Sequence, residues 1–118
     1  MQHPFGALIR PGRTKDLMET LTRASGPLAA QMSESRRRVG ITRECVWIVP
    51  TVIGDFAVGF FEADDPRAMS LLQFSDDDFD VWFGAEITEA LAEPGDGVFT
   101  AFDRVLAFEW SDDRPDVP

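Results

Sequence analysis

Between Gly54 and Pro66 the chain reads GDFAVGFFEADDP. As a strand this stretch sets Phe56, Val58 and Phe60 on one face and Ala57, Gly59 and Phe61 on the other, so neither face suits water. Upstream, His3 to Arg10 is a short apolar run ended by Pro11-Gly12, which predicts a first strand. TKDLMETLTRAS follows, with Thr14 as cap, Asp16 in the first turn and Leu17, Met18, Leu21 and Ala24 on one side of a helix. Gly26-Pro27 interrupts it. A second helical piece carries Leu28, Met32, Ser35 and Val39 at helical spacing and closes at Gly40. ITRECVWIVP, rich in β-branched and aromatic residues, predicts the second strand, and Ile53-Gly54-Asp55 turns it into the third.

Asp65 and Pro66 open a short helix with Met69 and Leu72 on its inner side. A longer helix begins at Ser75, where Phe79, Trp82, Phe83, Ile87, Ala90 and Leu91 form a broad apolar stripe before Pro94-Gly95-Asp96-Gly97 stops it. Phe99 to Trp110 alternates as a last strand, and SDDRPDVP is a polar tail. The expected order is β, broken α, β, β, broken α, β. It predicts an α+β, ferredoxin-like βαββαβ domain over residues 1–110, with a four-stranded antiparallel sheet, helices on one side and a loose acidic tail at 111–118. Such a sheet has a bare second face. Leaving one large apolar side chain in water forgoes about 1.5–3 kcal/mol, so several would rival the roughly 5–15 kcal/mol that stabilises a whole domain. The economical cover is the same face of a second copy, and a homodimer is expected.

Composition narrows the partners. The 118 residues include ten Phe, three Trp and no Tyr, and 21 acidic against 11 basic residues give a net charge of −10. That charge repels phosphate backbones and anionic lipid surfaces, which argues against nucleic acid and membrane partners. Cys45 is the single cysteine, no signal-peptide pattern opens the chain, and no apolar run approaches the roughly 20 residues of a membrane span. A cytoplasmic protein is the expectation.

IRPGRTKDLMETL, VGITRECVWIVP, GDFAVGFFEADDP and SDDDFDVWF together resemble the dimeric α+β barrel superfamily, across about residues 3 to 110. That group includes cofactor-free antibiotic-biosynthesis monooxygenases, aromatic polyketide cyclases, muconolactone-isomerase-like proteins and many members of unknown role. The resemblance implies a dimer with a cavity for a flat aromatic compound and no cofactor. Cyclase-like relatives often carry Ser-His-Pro where this chain has Ser75 followed by Asp76 and Asp77, so a histidine base is not implied at that place.

Among the residues themselves, the acidic run after Ser75 suits helix capping better than a metal, because successive helix positions diverge and first-turn carboxylates complement exposed amides. No metal is expected. Arg36, Arg37 and Arg38 read as a solvated helix end, His3 as surface and Cys45 as a small core residue. The remaining set is Arg43, Glu44 and Trp47 on the second strand with Asp103 and Arg104 on the last. Charged groups in apolar strands either face the solvent edge or meet as pairs inside a cavity, where proton transfer becomes feasible. In the cavity reading Glu44 and Asp103 are candidate bases. Trp47, Phe61 and Trp82 offer aromatic walls, and Arg43 or Arg104 stabilises an enolate or phenolate oxygen. Arg43 and Glu44 are adjacent on one strand and point oppositely, so that strand alone cannot aim both into one cavity. Two functions stay open. One is binding of a small apolar or aromatic metabolite, with cyclisation, isomerisation or oxygenation as the reaction. The other is a non-catalytic binding or assembly protein.

Overall fold

The structure, a computed structural model, describes residues 1–92 and Phe108. Strand β1 (Gln2–Leu8) leads to helix α1 (Thr14–Ser25) and helix α2 (Ala29–Arg38). Strands β2 (Arg43–Thr51) and β3 (Gly54–Glu62) form a hairpin. Helix α3 (Ala68–Leu71) continues into a 3₁₀ turn at Leu72–Phe74, and helix α4 (Asp78–Ala90) follows. The fold is α+β. Among the described residues no helix is long and apolar enough to cross a membrane.

The sheet runs in the order β1-β3-β2 and is antiparallel throughout. Its register stacks the side chains in rows across three strands. One face carries the rows His3–Phe61–Glu44, Phe5–Gly59–Val46 and Ala7–Ala57–Ile48. This face meets the helices, packing with Leu17 and Ala24 of α1 and Phe79, Phe83, Ile87 and Ala90 of α4. A second core group, Ile41, Phe61, Ala63, Ala68 and Met69, sits where β3 turns into α3. The other face carries Gln2–Glu62–Arg43, then Pro4–Phe60–Cys45, Gly6–Val58–Trp47 and Leu8–Phe56–Val49. The two-sided apolar character of β3 is thus real, and the helices cover one of its sides.

Two glycines in the sheet differ in kind. A Cβ at Gly59 would collide with the Cys45 carbonyl oxygen and lie 3.0 Å from the Phe5 ring, so β3 passes its neighbours more closely there than any side chain permits. At Gly6 a Cβ would meet only ordinary contacts, Val58 Cγ1 at 3.4 Å and the Ala57 oxygen at 3.6 Å.

Local chemistry sets the boundaries. The β2–β3 turn is the pair Val52–Ile53, one residue earlier than the sequence suggests, and the Thr51 hydroxyl holds it by donating to Gly54 O (2.7 Å) and accepting from Ile53 N (3.2 Å). Thr14 is not a cap. Its hydroxyl donates to Asp55 on β3 at 2.7 Å and ties α1 to the sheet. Helix α4 starts at Asp78, because the Asp77 carboxylate accepts from the amides of Phe79 and Asp80.

The expected four-stranded ferredoxin-like sheet, and with it the dimeric α+β barrel, is corrected: among the described residues the sheet has three strands. The chain leaving α4 does reach the outer edge of β1, where Arg10 N donates to Ala90 O and Ala92 N to Leu8 O, but this amounts to one isolated bridge, Ile9 with Leu91. Phe108, inside the segment 99–110 assigned to a fourth strand, belongs to no strand and is 80% exposed. Alternation defines a face and not a pairing partner. The rest of 99–110 and the tail 111–118 lie outside the described residues.

Candidate functional site

Arg36 stands near the end of α2 on the side facing the sheet, and its guanidinium reaches Glu44 of β2, with Nε to Oε1 at 2.8 Å and Nη2 to Oε2 at 3.4 Å. Both side chains are largely buried. The Arg36 guanidinium also donates to Ser35 Oγ at 3.0 Å and lies 5.2 Å from the centre of the Phe83 ring. Ser35 in turn donates to Asp80 of α4 at 2.5 Å. Asp80 further accepts from Ser75 Oγ at 2.6 Å and Arg38 Nη1 at 2.9 Å, and Arg38 extends the chain to Asp77 at 3.3 Å. A continuous polar line, Glu44–Arg36–Ser35–Asp80–Arg38–Asp77, therefore runs from β2 through the interior as far as Asp80 and emerges at the exposed pair Arg38 and Asp77 beside the start of α4. Among the described residues no buried side-chain polar atom lacks a partner.

Burial pushes the Asp80 carboxyl up. The hydrogen bonds from Ser35, Ser75 and Arg38, with the Arg38 charge, outweigh it and hold the group below the usual carboxylate range. The Asp80 side chain is 1% exposed. Asp80→Asn is expected to lower the unfolding free energy by about 2 kcal/mol at neutral pH, read from urea unfolding. A group whose folded pKa is depressed stabilises fully above its unfolded value and loses that contribution as pH falls through the folded one. The difference between wild type and variant is therefore expected at full size above about pH 4, shrinking as acid is added below it.

Behind the sheet lies an apolar cavity of about 30 Å³, room for a water or two. Phe5, Leu17, Leu21, Val46, Ala57, Met69, Phe83, Ile87 and Leu91 line it, and Glu44 is the charged residue in its wall. Because Arg36 engages both oxygens of Glu44, this carboxylate can accept a further hydrogen bond from a ligand, but acting as a base would require it to leave its arginine.

Glu44 and Phe61 thus share the helix-covered face, and the structure places the other candidates apart from them. Arg43 and Trp47 point to the opposite face, where Arg43 lies 5.6 Å from the Phe60 ring centre and Trp47 6.1 Å from it. Trp82 lies on the outer flank of α4 with the Arg23 guanidinium 4.8 Å over its ring, in a polar groove of about 340 Å³ between α1 and α4. Arg13 spans this groove to Asp16 at 3.1 Å and Glu89 at 3.2 Å. Asp103 and Arg104 lie outside the described residues. His3 is 1% exposed and not at the surface: Nε2 is 3.0 Å from Ala63 O, and the ring is 4.9 Å from that of Phe61. Cys45 is half-buried on the open face, outside the core. Among the described residues no three His, Cys, Asp or Glu side chains gather as a metal would need.

Sequence reasoning missed Ser35, Arg36 and Asp80 as a unit. Two signals were present. Ser35 interrupts the stripe Leu28, Met32, Val39, and Asp80 precedes Phe83 and Ile87 by three and seven positions, which puts a carboxylate in line with a buried helix face. Compared with known proteins, the chain matches no family model, no curated protein and no solved structure.

Proposed function

We propose that the protein is a non-catalytic binding module that works as a pair, each copy covering the open sheet face of the other. The observation that carries this reading is the nine-residue block Pro4, Gly6, Leu8, Cys45, Trp47, Val49, Phe56, Val58 and Phe60, which faces away from the helices with Trp47 54% exposed. A contiguous apolar patch of this kind marks an interaction site. Three strands about 4.8 Å apart and strands of up to nine residues at about 3.4 Å each give a face of about 14 by 30 Å, roughly 400 Å² per copy. Standard stable interfaces take about 800 Å² from each partner, so a pair that separates on dilution is expected. The net charge of −10 disfavours nucleic acid and anionic lipid as occupants, and with a single cysteine the chain suits the reducing cytoplasm. Light scattering over a concentration series tests the proposal. A mass rising from one chain toward two is expected, with Trp47→Lys held at one chain. One chain's mass at several hundred micromolar would overturn it.

A second reading is favoured by the placement of Glu44 in the wall of the apolar cavity. Here the protein binds a small apolar or aromatic compound bearing one hydrogen-bond donor. Entry would require Leu17, Leu21 or Met69 to move, since the cavity admits only water as it stands. Titration with 1-naphthol, followed by tryptophan fluorescence, is expected to show binding that Glu44→Gln weakens by about tenfold. No binding at millimolar probe would end this reading.

A further inference from the structure

Among the described residues nothing accounts for a glycine at position 6. Its φ is not positive, and a Cβ there would make only ordinary contacts, whereas glycine weakens a strand interior and often marks a bulge, a bend or a place where a ligand or another backbone approaches closely. The row it belongs to is Gly6–Val58–Trp47. One flank of this row is therefore a notch and the other an exposed indole, at equal spacing on either side of Val58. Resting on the self-pairing proposed above, we infer that the twofold axis of the pair runs along β3 over Val58 and seats Trp47 of each copy in the notch above Gly6 of the other.

A half-turn about a line parallel to β3 exchanges the β1 and β2 sides and keeps every row level, so knob meets notch twice. The charges on the face agree. They stand in the end row, Gln2–Glu62–Arg43, where Gln2 Nε2 already reaches Glu62 Oε1 at 3.4 Å. The same half-turn sets the two Glu62 carboxylates against each other on the axis, and it brings Arg43 of each copy over Gln2 and beside Glu62 of the other, so two guanidiniums flank the like-charged pair. The other face-to-face arrangement, with its axis across the strands, sets indole on indole and glycine on glycine. It also lays the Glu62–Arg43 row over Gly54 and Thr51, neither of which is charged.

Two measurements test the arrangement. Gly6→Val fills the notch and is expected to raise the dissociation constant of the pair at least 30-fold, with the melting temperature of the dilute single chain not lowered. For the axis, Pro4→Cys/Cys45→Ser is mixed with wild type and treated with a short bis-maleimide, and Val49→Cys/Cys45→Ser is mixed in parallel. Cys45 of wild type is expected to join to position 4 and not to position 49. Joining at position 49 and not at 4, or pairing undiminished by Gly6→Val, overturns this arrangement and leaves self-pairing standing. A single-chain mass for the wild type in light scattering overturns both.

Discussion

Arg36→Met is expected to lower the unfolding free energy by about 3–5 kcal/mol, the usual result when one member of a buried ion pair is removed and the other is left uncompensated. Glu44 is the residue left behind. It is held between β2 and α2 beside an apolar cavity, and both its oxygens are engaged by the guanidinium. Arg36 also supplies the bond to Ser35 and the contact with the Phe83 ring, so the variant loses packing as well as charge. Methionine fills a similar length without a donor. The companion variant Arg36→Met/Glu44→Leu removes both charges and is expected to recover most of the loss, because two apolar side chains of matching volume often replace a buried pair at little net cost. Urea unfolding of Arg36→Met, Glu44→Leu and the double variant yields the coupling energy directly. A loss below about 1 kcal/mol for Arg36→Met would show that the pair behaves as a solvated surface bridge.

Gly59→Ala is expected to cost about 3 kcal/mol or more, the upper end of what overpacking costs, although it adds one methyl group. The new carbon would run into the Cys45 carbonyl oxygen and press on the Phe5 ring. Backbone cannot swing aside as a side chain does, so β2 and β3 would have to part at the centre of the sheet. Gly6→Ala is the matched control, since its methyl group meets only ordinary contacts, and it is expected to leave the melting temperature of the dilute chain within about 2 °C. Thermal unfolding followed by circular dichroism separates the two glycines. Equal losses at both would remove the physical distinction between them.

What the sequence makes legible here follows from periodicity. The alternation from Phe56 to Phe61 places apolar residues on both faces of β3, and the stripe Phe79, Phe83, Ile87 and Ala90 gives the inner side of α4. Periodicity says nothing about what lies opposite a face. Arg36, Arg37 and Arg38 read as one cluster, yet a turn of about 100° per residue sends Arg36 inward to Glu44, Arg37 to solvent and Arg38 across to Asp80. Adjacent residues on a strand separate as surely. Arg43 and Glu44 fall on opposite faces, so no single cavity unites the described members of the expected site. Of the segment 99–110 only Phe108 is described, and alternation there defines a face without naming a neighbouring strand.

The topology of the sheet also fixes an order of assembly. β2 and β3 join through the pair Val52–Ile53, so their ladder can close over a short loop. β1 meets β3 along Gln2↔Glu62 to Leu8↔Phe56, which encloses about fifty residues and carries a larger closure entropy. The hairpin is therefore expected to be structured early in the transition state and β1 to dock late, with high φ-values near Val49 and Phe56 and low ones near Ala7 as the expected result of a φ-value analysis. Until β1 arrives, the central strand has a naked edge, and the newly made chain is most prone to the wrong partner in that interval.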